Sequence, residues 1–203
     1  MGAESHYFIA DETLEDKEET FSYYFGSNKI ELVSNTGMFS PGHVDAATDL
    51  LLRELPPLTG DFLDLGCGYG VIGVSVGKAY AQVQVTLADI NARALRYAKE
   101  NAARNGVEAK TICSDGFAEI EGTFSAITLN PPIHAGKETI FALYAGSHAH
   151  LKNGGSLYIV IQKKHGAESS LKKLSELFSE VEILYKKKGY YVIAAKKSLI
   201  QIE

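Results

Sequence analysis

Residues 62–70 read FLDLGCGYG, an apolar run that ends in three glycines at alternate positions. The run is typical of a short buried strand, and the residues after it predict a helix over 70–80. Glycine permits the tight turn and the close approach of backbone to a ligand that such a junction requires. The stretch therefore predicts the first strand–helix unit of an α/β domain, with a ligand site at the turn.

The same alternation continues along the chain. Further strands are predicted at 83–88, 110–112, 124–129 and 156–161, and helices at 91–105, 137–151 and 171–178. The helix at 137–151 is expected to end at 153–155, where a glycine can adopt the left-handed cap conformation. Strands that alternate with helices predict a doubly wound parallel sheet with helices on both faces. Two last strands, at 181–185 and 190–195, predict a hairpin that makes the sheet mixed.

The N-terminal part has a different pattern. Residues 20–25 and 29–33 are rich in aromatic and β-branched side chains and flank the polar turn GSN, which predicts a β-hairpin. We expect residues 1–40 to form a β extension packed on one main domain, residues 41–203.

Composition limits the class of protein. The chain has 203 residues, of which 45% are hydrophobic and 22% charged, which suits one globular domain. It has no apolar run of about 18 residues, no basic-then-apolar leader and only two cysteines. These features predict a reduced, cytoplasmic protein that does not enter a membrane.

The charge is distributed unevenly. The net charge of −5 argues against binding of nucleic acid by bulk electrostatics. Residues 1–60 carry 11 acidic and 3 basic residues, whereas residues 151–203 carry 5 acidic and 10 basic residues. The C-terminal lysines are either a solvated face or a patch that contacts phosphates.

Polar residues and glycines follow four of the predicted strands. In doubly wound sheets, ligands bind outside the carboxyl ends of the strands, so these residues are expected to share one rim. Four of them carry a carboxylate or a carboxamide. The candidate cofactor-binding residues at these ends are Asp64, Gly66, Cys67, Gly68, Gly70, Asp89, Ile90, Asp115, Gly116 and Asn130.

The glycine spacing favours one class of ligand. It is G-x-G-x-G, with Val71 where the dinucleotide fingerprint has its third glycine, and Asp89 follows 21 residues after Gly68. A carboxylate there can accept both hydroxyls of an adenosine ribose. Asp64 beside the turn would repel a pyrophosphate, which disfavours a nicotinamide dehydrogenase. S-adenosylmethionine, with a sulfonium and an ammonium, fits an acid-rich site.

The strand at 124–129 ends in Asn130-Pro131-Pro132. Proline cannot donate to a sheet and restricts the residue before it. The Asn130 side chain and the Pro131 carbonyl can therefore act as two fixed acceptors for the hydrogens of an NH2 group. Such acceptors would orient the nitrogen and stabilise it as it gains positive charge.

Together these motifs resemble class I S-adenosylmethionine-dependent methyltransferases, and more narrowly the small-domain methyltransferases related to ribosomal RNA guanine-N2 methyltransferases. The matches are DLGCGYG at 64–70, Asp89, Asp115 and the N-P-P signature, and TGMFSP at 36–41 resembles a segment that caps the pocket. The resemblance implies a Rossmann-like seven-stranded mixed sheet with an antiparallel C-terminal strand. It implies Phe39 as a further cofactor-binding residue, and as catalytic residues Asn130, Pro131, Pro132 and Ile133.

The implied activity is N-methylation of an exocyclic amino group of a nucleobase, with guanine N2 in ribosomal RNA favoured and ribosomal RNA or a ribosomal subunit as partner. Family members commonly have an aromatic residue after N-P-P, and Ile133 lacks a ring to stack on a base. Two alternatives stay open: methylation of a glutamine side chain in a protein substrate, and a non-catalytic cofactor-binding subunit that assists a partner.

Overall fold

The computed structural model describes residues 17–35, 42–132 and 135–199. Its elements fall into one seven-stranded sheet, a separate two-stranded hairpin and the helices that cover them. Within these ranges, no helix has both the length and the apolar character needed to span a bilayer. The elements in chain order are β1 (Glu18–Phe25), β2 (Asn28–Asn35), α1 (Ala46–Glu54), β3 (Gly60–Leu65), α2 (Val71–Ala79), β4 (Val83–Asp89), α3 (Ala92–Arg104), β5 (Ala109–Cys113), β6 (Phe124–Leu129), α4 (Lys137–His150), β7 (Leu151–Gln162), a 3-10 turn (Lys163–His165), α5 (Ala167–Leu177), β8 (Glu180–Lys187) and β9 (Tyr190–Lys196).

The large sheet has the strand order β5-β4-β3-β6-β7-β9-β8. The first five of these strands are mutually parallel, and β9 pairs antiparallel with both of its neighbours. The chain moves from β3 outward to β5, then returns to place β6 on the other side of β3. This architecture confirms the predicted doubly wound mixed sheet, and its switch point lies between β3 and β6.

The sheet forms because its strands are apolar on both faces. Leu63, Leu87, Ile127 and Ile159 are completely buried, and the buried side chains separate into two clusters. Continuous apolar strands are typical of parallel sheets that are covered by helices on both sides.

The predicted N-terminal hairpin is present as β1 and β2, which pair in antiparallel register. Asn101 on α3 and Asn105 at the C-terminal cap of α3 satisfy the free edge of β2. The Asn101 amide accepts from Val33 N at 2.8 Å and donates to Val33 O at 2.9 Å. The Asn105 amide makes the same pair of bonds with Glu31, at 2.9 and 2.7 Å. Because a helix face takes the place of a third strand, we propose that residues 1–40 are an extension of the main domain.

The structure contains one helix that was not predicted, and the bounds of other elements differ from the prediction. Helix α1 was not predicted at all, although Asp45 caps it by accepting hydrogen bonds from Ala47 N and Thr48 N. Helix α5 begins at Ala167, four residues before the predicted start. Helix α4 ends at His150 and passes directly into β7.

The predicted glycine cap at 153–155 is therefore wrong. These residues form an irregularity inside β7: Leu151 pairs with Phe124, and the next pair joins Ser156 to Ala126. Gly154 has φ 76, and a Cβ on Gly155 would come within 3.0 Å of three carbonyl oxygens. The glycines thus bend a strand instead of ending a helix.

Candidate functional site

The candidate site lies at the carboxyl ends of the strands on both sides of the switch point. Asp89 is the last residue of β4, and Asn130 directly follows β6. The glycine turn connects β3, which pairs with both of these strands, to α2. The fold therefore brings the predicted cofactor turn and the predicted catalytic asparagine to one edge.

Backbone hydrogen bonds hold the glycine turn against β4. Gly66 N and Cys67 N both donate to Ala88 O, at 2.8 and 2.9 Å. Gly66 and Gly68 have left-handed φ values of 70 and 54, and a Cβ at either position would meet nothing within 4 Å. This side of the turn is open to a ligand, so its backbone can approach the ligand closely.

Gly70 has a different use. It precedes α2 with φ 90, and a Cβ there would lie 3.2 Å from the backbone of Ala98 on α3. Gly70 therefore lets the start of α2 pack closely on α3, whereas the third fingerprint glycine of dinucleotide-binding proteins allows a helix to pack closely on a strand.

Asp89 is held by two backbone donors. Its Oδ2 accepts from Gly68 N and its Oδ1 accepts from Asn91 N, both at 2.8 Å. Burial raises the pKa of this carboxyl, and the backbone bonds oppose the rise. Each carboxylate oxygen keeps a further lone pair, so a fixed Asp89 can still accept two ligand hydroxyls.

Asp64 differs from the expectation that it stands on the open rim. It is 1% exposed and lies beneath the turn, where Oδ2 accepts from Gly73 N at 2.9 Å and Oδ1 from the Thr128 hydroxyl at 3.1 Å. Asp64 therefore connects β3, α2 and β6. Its burial, opposed by these two bonds, raises its pKa to about 7.

This pKa predicts an unusual pH dependence of stability. An acid whose pKa is higher in the folded state favours folding most below its unfolded pKa, and this contribution is lost as pH rises to the folded value. For Asp64 the window runs from the ordinary aspartate pKa of 3.8 to the folded-state pKa of about 7. Asparagine can keep both contacts, so D64N should lose less unfolding free energy than the native chain between about pH 5 and about pH 7.5. Urea unfolding of both proteins at both pH values measures the difference. Equal losses of unfolding free energy in D64N and the native chain would contradict the prediction.

The adenine end of the predicted cofactor site contains an exposed apolar side chain. Ile90 follows Asp89 and is 42% exposed. Asp115 is exposed, and the Gly116 carbonyl accepts from the Ser114 hydroxyl at 2.9 Å. An apolar surface between two acidic strand ends suits an adenosine.

Cys67 in the glycine turn is buried, and burial raises the pKa of its thiol, which disfavours a role as a nucleophile.

Asn130 is oriented by a residue that sequence reasoning missed. Its Nδ2 donates to Thr48 Oγ1 on α1 at 3.2 Å, which leaves Oδ1 to act as an acceptor. Thr48 is 7% exposed. The signal in the sequence was Asp45 before an apolar segment, which is a helix N-cap pattern, but nothing in the sequence connects α1 to β6.

The backbone carbonyls of the two prolines after Asn130 differ in their hydrogen bonding. Pro132 O accepts from Ala135 N at 2.9 Å. Among the residues that the structure describes, no donor reaches Pro131 O, so this carbonyl is available. Phe39 and Ile133, the remaining predicted site residues, lie outside the described residues. In the described ranges, no group of three or more His, Cys, Asp or Glu side chains could hold a metal ion.

The family model described as "Methyltransferase small domain" matches residues 29–194. Among curated proteins, Uncharacterized protein YbxB of Bacillus subtilis is 41% identical over 197 residues, which are 95% of this chain and 98% of that protein. Ribosomal RNA small subunit methyltransferase C of Shewanella amazonensis is 35% identical over 196 residues, which are 93% of this chain and 57% of that protein.

A similar solved structure is that of the T. thermophilus 16S rRNA N2 methyltransferase RsmC in complex with AdoMet and guanosine. Its TM-score is 0.77 at 26% identity, with 89% of this chain and 50% of that chain covered. A ribosomal protein L11 methylase from Lactobacillus delbrueckii has a TM-score of 0.63 at 21% identity, with 74% of this chain and 77% of that chain covered, and it shares the fold. The chain thus spans about half the length of the ribosomal RNA methyltransferases that it matches.

Proposed function

The chain belongs to the methyltransferase small domain family, and we propose that this S-adenosylmethionine-dependent methyltransferase modifies an exocyclic amino group of a base in ribosomal RNA, with guanine N2 as the favoured target. The observation that carries the proposal is the pair of acceptors at the end of β6, with the Asn130 amide oriented by Thr48. The names of the curated relative from Shewanella and of the T. thermophilus structure support ribosomal RNA as the substrate.

The cofactor supplies a methyl group on a positively charged sulfur, so this chain needs to orient the acceptor nitrogen rather than activate the donor. The open side of the glycine turn at Gly66 and Gly68 accommodates close approach by the cofactor. In this proposal, Asp89 accepts the ribose hydroxyls, Ile90 contacts the adenine, and Asp115 lies beside the ring. Asp64 acts from below, because its bonds to Gly73 and Thr128 fix the turn to β6.

At the acceptor half, Asn130 Oδ1 and Pro131 O bind the two amino hydrogens of the base. An exocyclic amino group is a weak nucleophile because its lone pair is delocalised into the ring. Fixed acceptors hold the nitrogen in line with the methyl group, and they stabilise the positive charge that it gains during transfer. As the nitrogen takes the methyl group, the S–CH3 bond of the cofactor would break with its electron pair left on sulfur as a neutral thioether. The proton lost by the nitrogen would go to water, so no dedicated base is required.

Methyl transfer to separated substrates tests the proposal. The chain is incubated with labelled S-adenosylmethionine and three substrates: 16S ribosomal RNA transcribed in vitro, small subunits reconstituted from this transcript, and free ribosomal proteins. We expect N2-methylguanosine in the nucleoside digest of the RNA or of the reconstituted subunit. Label on glutamine would instead identify a protein methyltransferase, and cofactor binding without transfer to any substrate would favour a non-catalytic subunit.

Thr48 offers a prediction about positioning. T48V keeps the shape of the side chain but removes the acceptor for Asn130 Nδ2, so the amide can turn its nitrogen toward the substrate. Loss of one hydrogen bond of this kind should lower kcat about tenfold, with the affinity for S-adenosylmethionine and the Tm little changed. Single-turnover kinetics measures the effect, and T48S, which keeps the hydroxyl, is the matched control. Equal rates for T48V and T48S would remove Thr48 from this role.

A further inference from the structure

The carboxyl edge of the sheet carries a group of lysines beside the candidate site. Strands β7 and β8 both run antiparallel to β9, so their carboxyl ends lie at the same edge as the end of β6. We call the exposed side chains there the lysine rim: Lys163 and Lys164 after β7, Lys186 and Lys187 at the end of β8, and Lys188 in the turn that follows.

The fold brings these two lysine segments together. Gln162 pairs with Tyr190 across β7 and β9, and Lys163 N donates to Gly189 O at 2.8 Å. Two basic segments more than twenty residues apart therefore form one surface. The carboxylate nearest to Lys163 Nζ is Glu168, 4.0 Å away, and both side chains are largely exposed, which makes this a weak pair. In the described ranges, no acidic side chain pairs with Lys164, Lys187 or Lys188.

The backbone at Lys188 is a second, independent observation. Lys188 has φ 50 and Gly189 has φ 79, and within the described part of the chain Lys188 is the one residue other than glycine with a positive φ. A two-residue hairpin turn of this kind favours asparagine followed by glycine. Lysine is a poor choice for the turn itself, which points to a use for its charge.

The position of the rim relative to Asn130 suits a nucleic acid. β7 lies directly beside β6, and neighbouring strands are about 5 Å apart, so the rim begins one strand from the catalytic asparagine. On the other side of Asn130, the ends of β4 and β5 carry Asp89 and Asp115. The edge is therefore acidic where the cofactor is expected and basic where the substrate is expected, in a chain with a net charge of −5.

We propose that the lysine rim binds the phosphates of an RNA strand next to the base that enters at Asn130. The inference rests on the proposed function, and it adds the surface that holds the RNA. Exposed lysines that contact phosphates release counterions, which gives binding a steep salt dependence. Repulsion by Asp115 and Asp89 keeps the strand off the cofactor half, so the charge pattern also sets the direction in which the RNA leaves the site.

Charge-removing pairs test the surface. The variants are K163Q/K164Q and K187Q/K188N, in which asparagine also suits the left-handed backbone at position 188. The control pair is K99Q/K110Q, two exposed lysines on α3 and near the start of β5, away from the rim. The RNA probe is the substrate that receives methyl groups from the native chain, or the 16S transcript if none does. Its Kd is measured over a range of salt concentrations, and cofactor affinity is measured by calorimetry.

Each rim pair is expected to raise the RNA Kd about tenfold at low salt, and to reduce the slope of log K against log salt by about 1 per lysine removed. Cofactor affinity should stay at the native value, and the Tm of K187Q/K188N should not fall. The control pair should leave the slope near its native value. Rim pairs that bind RNA like the control pair would overturn the proposal.

The result for the lysine rim can be distinguished from the result for the proposed function. Methyl transfer by the native chain decides the function, whereas the difference between rim and control variants decides the surface. If the native chain methylates RNA and the rim variants bind RNA normally, the proposed function is supported and the lysine rim is refuted. If the native chain transfers no methyl group to RNA but the rim variants, unlike the control variant, lose RNA binding, the lysine rim is supported and the proposed activity is refuted.

Discussion

Replacement of Asn130 by alanine is expected to lower kcat about 100-fold, the scale of losing one preorganised polar contact in an active site. The affinity for S-adenosylmethionine should stay nearly unchanged, because Asn130 follows β6 and its Nδ2 bonds to Thr48 rather than to the glycine turn. The physical reason is that the amino group of the substrate loses the acceptor that orients its nitrogen. Single-turnover methyl transfer and calorimetry with the cofactor measure the two quantities.

The matched control is N153A, because Asn153 is an exposed asparagine in the irregular part of β7, at the other end of the sheet. This variant should transfer methyl groups at the native rate. Native turnover in N130A would exclude Asn130 from the chemistry. A raised KM at native kcat would show that Asn130 binds the substrate without favouring the transition state.

The second large effect is expected at Asp89. D89A removes the acceptors that we assign to the ribose hydroxyls, and charge-assisted hydrogen bonds are worth about 1.5–3 kcal/mol each. We expect the Kd for S-adenosylmethionine to rise about 100-fold, whereas kcat at saturating cofactor should fall much less. Calorimetric titration measures the change, and D61A, at the other end of β3, is the control for loss of one carboxylate.

D89A also removes the partner of Gly68 N and Asn91 N, so a weaker affinity could come from a disordered turn. A cofactor analogue without the ribose 2′-hydroxyl separates the two causes. If Asp89 accepts this hydroxyl, the analogue should bind the native chain more weakly than the complete cofactor, but should bind D89A about as well as the complete cofactor does. An equal loss for the analogue in both proteins would contradict the assignment.

The sequence predicted the sheet well because its strands are buried on both faces. Runs such as residues 62–65 and 124–129 are short and mostly apolar, and they are separated by long amphipathic segments, so the alternation is visible without tertiary contacts. Helix α1 was missed for the opposite reason. It contains three consecutive leucines, which give no helical periodicity, and its start depends on the Asp45 cap.

The sequence predicted which residues come together at the site better than it predicted how deeply each of them is buried. The parallel direction of β4 and β6 brings Asp89 and Asn130 to one rim, and this direction follows from the α/β alternation. That Asp64 is buried depends on Gly73, where a Cβ would lie 2.1 Å from Leu87 Cδ2; without a Cβ, α2 packs closely enough for Gly73 N to reach the carboxylate. Such a contact between residues nine positions apart is not visible in the pattern of one segment.

Two other features depend on contacts between distant segments. The amides of Asn101 and Asn105 look like ordinary polar helix residues until β2 is placed beside α3. The number of C-terminal lysines does not show whether they form a solvated face or a phosphate-binding patch. The pairing of Gln162 with Tyr190 brings the cluster after β7, which lies next to β6, together with the cluster at the end of β8, and this pairing is a property of the topology.

The central claim is that Asn130 and Pro131 present two acceptors to an exocyclic amino group beside the cofactor. A crystal structure of the chain with S-adenosylhomocysteine and guanosine tests it most directly. We predict that the guanine N2 atom lies about 3 Å from both Asn130 Oδ1 and Pro131 O, with the ribose of the cofactor on Asp89. A guanine whose N2 faces away from β6, or a cofactor ribose without contact to Asp89, would contradict the claim.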